Sequence, residues 1–437
     1  MDNFSRRDFL RSAALVGGIA ALSTGTVKAQ STKANDKATT IPVGHVDGKD
    51  VIRVGIIGAG GRGTKAAIDC VQSSPGVEIV AIGDAFMDRC KKSLERLQKE
   101  IPEQCKVTED TLFDGLDNYE KVLKTDCNYV ILAAPPGFRP VHLRAAVEAG
   151  KHIFTEKPVA VDPVGIRSVM ESSDLAKEKG LAIVAGTQRR HAVSYRETLK
   201  RIQDGAIGDL VGGQCYWMQE GLWVVERKEE FSDAEWCMRN WLYFDWTSGD
   251  TIVEQHVHNI DVINWAMGGP PVRAIASGGR LVRDEEKYGN IYDNFSVELE
   301  YANGARVTSM CRQWEGASTR IGERLVGTKG TCDPNGKIEG PNAWSHDDGG
   351  EKDFPYVNEH RHLIESIRKN EPLNEGRQVA ESCLTAIMGR MAAYTGQAVS
   401  YNWALKASKL NLTPENLSLP GSVTLNPVPK CGTTKLV

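Results

Sequence analysis

From residue 51 onward, short apolar runs alternate with segments whose apolar positions recur every three or four residues. That alternation is the pattern of a parallel sheet interleaved with helices. Residues 51–57, 77–82, 129–133, 152–155 and 181–185 read as strands. Residues 64–73, 86–99, 140–149 and 162–179 read as the helices between them. Past Gln188 the rhythm changes. Residues 210–218 and 294–301 alternate as half-buried strands, and Asn303-Gly304 marks a hairpin into 305–311. Helical periodicity returns over 249–267, 357–369 and 376–394. The expected fold is α/β: a doubly wound parallel sheet over 50–187, then a second domain over 188–400. The second domain is read as a mixed or antiparallel sheet with helices on one face, followed by a C-terminal extension over 401–437.

Composition narrows the functional classes. With 41% hydrophobic and 25% charged residues over 437 positions, the chain can bury two cores. A net charge of −4 and a pI near 6.2, without a basic stripe, argue against nucleic acid as a partner. The ten cysteines run from Cys70 to Cys431 without a C-x-x-C pair, so they specify neither a disulfide framework nor a metal site. Ser5-Arg6-Arg7-Asp8-Phe9-Leu10 is a twin-arginine signature. The weakly apolar stretch 12–27 follows it, and Val27-Lys28-Ala29 is a small-residue cleavage site. Residues 1–29 are therefore expected to be a cleaved export signal rather than a stable membrane anchor, and 30–49 a flexible leader. The mature protein is expected in the periplasm or outside the cell.

Gly58-Ala59-Gly60-Gly61-Arg62-Gly63 is a G-x-G-x-x-G placed directly after a strand and opening a helix. In that context the glycines permit a tight turn and let backbone approach a pyrophosphate, while the helix N-terminus faces the phosphate charge. Asp84, at the end of the second strand, is placed to accept from the adenine ribose hydroxyls. Its charge favours NAD over NADP. Pro135 follows the strand at 129–133 at the same edge of the sheet.

Glu156-Lys157-Pro158 follows the strand at 152–155, at the edge that faces the cofactor crevice. Lys157 is placed beside a nicotinamide, where it can exchange a proton with a substrate hydroxyl. In 249–267, Glu254 and His258 lie four apart and His258 and Asp261 three apart. A continuous helix puts all three on one face, where a carboxylate can orient the imidazole. His256 points off that face and reads as structural. The same face could bind a metal, but hydride transfer beside a lysine needs none, and no metal is expected.

Together, Gly58–Gly63, Asp84, Glu156-Lys157-Pro158 and the helix motif with His258 and Asp261 resemble the Gfo/Idh/MocA oxidoreductases. The family is named for glucose–fructose oxidoreductase and inositol dehydrogenase, and the resemblance covers about residues 50–400. It implies an N-terminal Rossmann domain, and a C-terminal α+β domain whose large, mostly antiparallel sheet often forms a homo-oligomer interface. It further implies bound NAD, Lys157 and His258 as catalytic residues, and Glu254 where the dehydrogenases usually carry aspartate. Gln188 and Arg189, after the last Rossmann strand, match the segment bordering nicotinamide and substrate. Arg239, Trp241, Tyr243 and Asp261 fall where the sugar pocket is expected.

Export adds a constraint, because free NAD is scarce outside the membrane. An exported enzyme of this kind must hold its cofactor and regenerate it in each cycle. The first expectation is an oxidoreductase acting on a sugar or sugar derivative. The alternative is an NAD-dependent glycosidase that oxidises, eliminates, adds water and re-reduces. The best-known glycosidase branch carries a Thr-His-Gly type motif, whereas His256-Val257-His258 is nearer the dehydrogenase pattern. A catalytically silent sugar-binding protein ranks last, because Lys157 and His258 are both present.

Overall fold

Strands that read as near-continuous apolar runs need helices on both faces, and the first sheet has them. In the computed structural model, residues 50–350 and 352–437 are described, so the Arg6-Arg7 motif and the 27–29 cleavage site lie outside them. The first sheet comprises β1 (Ile52–Ile57), β2 (Val77–Gly83), β3 (Leu112–Phe113), β4 (Tyr129–Leu132), β5 (His152–Thr155) and β6 (Ile183–Ala185). Its order is β3-β2-β1-β4-β5-β6, and every pairing is parallel. That is the Rossmann order, with the topological switch between β1 and β4.

The connecting helices are α1 (Gly61–Ser73), α2 (Met87–Glu100), α3 (Asn118–Leu123), α4 (Arg139–Glu148) and α5 (Pro163–Glu178). Alternate strand residues feed two separate cores. Ile57, Val130 and Leu132 pack with Leu143 and Ile166 on one face. Ile56, Ile131 and Phe154 pack with Ala67 and Leu97 on the other.

The second sheet has nine strands: β7 (Leu210–Gln219), β8 (Arg273–Gly279), β9 (Asn294–Glu300), β10 (Arg306–Gln313), β11 (Arg320–Gly327), β12 (Gly330–Asp333), β13 (Lys337–Glu339), β14 (Trp344–Ser345) and β15 (Val399–Ser400). Their order is β14-β13-β12-β11-β7-β10-β9-β8-β15. Only β7 and β10 run parallel; the other pairings are antiparallel. The Asn303-Gly304 turn joins β9 to β10, with Gly304 at φ +87.

The later helices are α6 (Val193–Gln203), α7 (Asp233–Arg239), α8 (Asp245–Ser248), α9 (Thr251–Glu254), α10 (Val257–Met267), α11 (Pro355–Arg368), α12 (Gly376–Thr395) and α13 (Tyr401–Lys406). Buried almost all round, α12 packs against both β8 and α5 and so ties the two layers together. From the far end of the chain, α11 returns to cover one face of the first sheet through Leu363 and Ile364. All ten cysteines are free, and no described helix is long and apolar enough to cross a membrane.

One expected element is corrected. The single helix over 249–267 is broken at Gln255-His256 into α9 and α10. The His256 amide bonds to Thr251 O, five residues back, while Asn259 N bonds to His256 O, three back. The buried His256 ring explains the break: Nε2 lies 2.7 Å from Ser309 Oγ and Nδ1 3.3 Å from Asn259 Oδ1. These contacts anchor the ring, and the helical ladder is interrupted beside it.

Candidate active site and cofactor cleft

The glycine loop sits at the switch point of the first sheet. A Cβ on Gly58 would lie 2.2 Å from Ala134 N, and one on Gly63 would lie 2.0 Å from Gly58 O. These two positions need glycine for chain packing. A Cβ on Gly60 or Gly61 meets nothing within 4 Å, so the loop is open there. Gly60 caps α1 without a side-chain hydrogen bond, leaving first-turn amides free to receive an anion. Asp84 is buried at the end of β2. Its Oδ2 accepts from Ala59 N at 2.8 Å and its Oδ1 from Phe86 N at 3.1 Å. Burial pushes this carboxyl above its ordinary range, against the nearby charge of Arg89.

The loop, Asp84 and Pro135 line one wall of a cleft of about 770 Å³. An open glycine cradle, a helix N-terminus and a ribose-side carboxylate together fit a dinucleotide.

Beyond the loop, a second chamber of about 250 Å³ is lined by Lys157, Glu254, His258, Trp241, Arg139 and Tyr356, among others. Lys157 Nζ donates to the backbone carbonyl of Glu254 and, at 3.1 Å, to its Oε1. Both side chains are about nine-tenths buried. Glu254 Oε2 is buried without a hydrogen-bond partner, and so is His258 Nδ1. The His258 ring lies against Trp217, with centroids 5.6 Å apart and planes at 24°. Burial holds this imidazole far below its ordinary pKa, and the charges of Lys157, Arg189 and Arg62 push the same way. His258 is therefore neutral at physiological pH and able to accept a proton.

Glu156 pairs with Arg62 and lies against Gly186, on the chamber wall. The Arg62 guanidinium sits over the Tyr356 ring at 4.6 Å. Gln188 reaches the same ring through Nε2–H to Tyr356 Oη at 3.2 Å.

Other expected site residues are placed elsewhere. Neither Glu254 nor Asp261 orients His258. Asp261 is held by Arg190 Nε at 2.7 Å and Nη2 at 2.9 Å, and by Ser382 Oγ at 2.7 Å. A bidentate guanidinium satisfies that carboxylate inside the protein and takes it away from any sugar. Tyr243 is fully buried, its hydroxyl donating to Leu222 O and Trp223 O, so it shapes the chain rather than the pocket. Arg189 is ion-paired with Glu323 and sits 5.8 Å over Trp217, off the chamber lining. Arg239 lines the dinucleotide cleft rather than the chamber. Trp241 borders both cavities.

Arg139, Trp217 and Tyr356 escaped the sequence reading. Tyr356 and Trp217 reach the site from α11 and β7 through tertiary packing, and no local motif marks them. Arg139 is buried, donating to Leu132 O and to Ala134 O at 2.7 Å, and so fixes the turn after β4.

Residues 52–187 match the model of an oxidoreductase family with an NAD-binding Rossmann fold, and residues 195–333 match the GFO/IDH/MocA C-terminal domain. An NAD(+)-dependent scyllo-inositol 2-dehydrogenase of Bacillus subtilis is 23% identical over 282 residues, covering 64% of this chain and 72% of the relative. A glycosyl hydrolase family 109 protein of Streptomyces coelicolor is 26% identical over 331 residues, covering 72% and 66%. The crystal structure of an aldose-aldose oxidoreductase from Caulobacter crescentus, complexed with glycerol, superposes with a TM-score of 0.63. That match has 17% identity and covers 80% of this chain and 99% of the other.

Proposed function

Because this chain belongs to the Gfo/Idh/MocA family of NAD-dependent oxidoreductases, we propose that it acts on a hydroxyl-bearing carbon of a sugar or sugar derivative while keeping NAD bound. The observation that carries this reading is the chamber beside the dinucleotide cleft, where a neutral His258 and a paired Lys157 face the same space. NAD bound in the cleft would supply the hydride acceptor and donor. Lys157 and His258 hold the substrate hydroxyl, and the imidazole takes its proton as the carbon is oxidised. Glu254 keeps Lys157 in place through the 3.1 Å ion pair. Trp241 offers a flat apolar face for a sugar ring.

A second reading, a redox-neutral glycosidase, is favoured by the unpartnered Oε2 of Glu254, a residue lining the same chamber as His258. After transient oxidation, the acidified C–H next to the new carbonyl loses its proton to this second acceptor. The glycosidic group leaves, water adds, and reduction returns the hydride. The glycosyl hydrolase family 109 relative supports this alternative.

The twin-arginine leader supports export of a folded, cofactor-loaded protein. A homo-oligomer through the second sheet belongs to the same reading, and exposed Ile275 lies on its outward side.

The test is to release cofactor from denatured protein and then challenge native protein with free sugars and aryl glycosides in D₂O. Oxidised product with NADH supports the first reading. Hydrolysis with deuterium at the carbon beside the oxidised one supports the second. Protein that releases no NAD and turns over neither class would overturn both.

A further inference from the structure

The dinucleotide cleft has two walls, and only one of them belongs to the Rossmann half. The opposite wall is built by Trp223, Val225, Lys228, Phe231, Arg239 and Trp241. The segment from 223 to 241, ending in α7, therefore roofs the space over the glycine loop. At the Asp84 end, Met238 of α7 closes a slot shared with Asp84, Phe86, Leu116 and Asn118. That slot, with a volume of about 30 Å³, is a narrow extension of the larger cleft, which Asp84 also lines.

What holds α7 down is specific. Arg239 Nη2 lies 3.0 Å from Asp88 Oδ1 on α2, across the two halves of the chain, and Arg239 Nε lies 2.9 Å from Glu235 Oε1. The guanidinium is centred 3.9 Å over the Phe86 ring. Phe86, Trp236, Met238, Phe244 and Trp246 form one apolar cluster that joins α7 to the end of β2.

We propose that α7 and the segment leading into it form a clasp over bound dinucleotide, with the Arg239–Asp88 ion pair as its latch. The inference rests on the NAD reading above and supplies what that reading requires of an exported enzyme: a cofactor that does not leave between turnovers. Arg239 acts here as a positioning residue. It holds the roof closed and does not touch the reacting atoms.

The experiment measures release, without substrate. Holoprotein reduced to the NADH form is diluted into excess NAD, and loss of bound NADH fluorescence is followed. Arg239→Ala is expected to speed release at least tenfold, and Asp88→Asn, which breaks the same latch from α2, to do likewise. Arg239→Lys is expected to stay close to native. Arg306→Ala breaks exposed pairs to Glu298 and Glu300 on the second sheet, away from the cleft, and is expected to leave the rate unchanged. Native release rates in both Arg239→Ala and Asp88→Asn would overturn the latch. Equal acceleration by Arg306→Ala would overturn it too, because the effect would then come from general loosening of the fold. Native protein that binds no NADH at all would instead overturn the cofactor reading, so the two failures are distinguishable.

Discussion

Two glycines two positions apart should fail in opposite ways when each gains one methyl group. Gly61 opens α1, and a Cβ there meets no atom within 4 Å. Gly61→Ala should leave the apo fold intact, and the reduced freedom of the unfolded chain should stabilise it by about 0.4–1 kcal/mol. The methyl would nevertheless stand over the first-turn amides that a pyrophosphate must reach. Losing one charge-assisted hydrogen bond costs about 1.5–3 kcal/mol, which is roughly 10- to 150-fold in affinity. Gly63 is the reverse case. Its Cβ would sit 2.0 Å from Gly58 O and 3.1 Å from Ala133 Cβ. The first contact is about 1 Å inside the closest approach real Cβ atoms show, and the carbonyl is backbone that cannot swing aside. Overpacking of that kind costs about 2–4 kcal/mol. Urea unfolding of cofactor-stripped proteins reads the stability, and NADH titration by fluorescence reads the affinity. Gly61→Ala that binds NADH as tightly as native protein would refute the placement of the dinucleotide over α1. Gly63→Ala that is as stable as native protein would refute the close loop packing.

Lys157→Ala and His258→Ala should each lower turnover by roughly 100-fold or more while NAD stays bound, since acid–base groups contribute about that much. Turnover and bound NAD measured on the same preparations decide it, and native turnover would remove both from the chemistry. Asp84→Ser should weaken discrimination against NADP by about 1–3 kcal/mol; an unchanged NAD/NADP preference would place the ribose elsewhere. Burial and three nearby cations hold the folded His258 pKa well below its ordinary value, so the neutral imidazole persists as pH falls below 6.5. The acid limb of kcat/KM due to this group should therefore lie below the ordinary imidazole value of about 6.5, and a limb at 6.5 or above would contradict the buried environment. Arg239→Ala tests the clasp through NADH release.

Much of the first domain was legible because its strands are buried on both faces and its helices keep a strict period. The expected strand at 51–57 is Ile52–Ile57, and the one at 152–155 is identical to β5. β3 has two residues and α3 six, too short for any periodicity to register. In the second sheet, β8 reads Arg-Ala-Ile-Ala-Ser-Gly-Gly, where small residues erase the alternation. The site divided along a similar line. Motif residues are fixed by backbone position, so the glycine loop, Asp84, Lys157 and His258 could be named from spacing alone. Asp261, Tyr243 and Arg239 were misplaced because nearness along the chain says nothing about which partner captures a side chain. Arg190, the carbonyls at 222–223 and Asp88 captured these three. A helix period also assumes an unbroken ladder, and the ladder breaks beside buried His256, whose contact with Ser309, 53 residues along the chain, no local pattern encodes.

The consequence of that break reaches the chemistry. On a continuous helix, Glu254 would have been a neighbour of His258 and a natural partner for its ring. Instead its Oε1 is committed to Lys157, and the imidazole is held only by stacking on Trp217. The lysine charge is therefore balanced before substrate arrives, and the histidine is free to act as a neutral base. Hydride transfer from a carbinol needs one proton acceptor, because only the hydroxyl proton departs. Elimination beside a carbonyl needs a second, because a C–H proton must also be taken. A neutral His258 ring, which keeps one acceptor nitrogen in either tautomer, and the unpartnered Glu254 Oε2 belong to residues lining one chamber. The count matches the longer reaction sequence, even though the His256-Val257-His258 triplet leans towards the shorter one. Glu254, standing where the family usually carries aspartate, gives one oxygen to Lys157 and keeps the other unpaired.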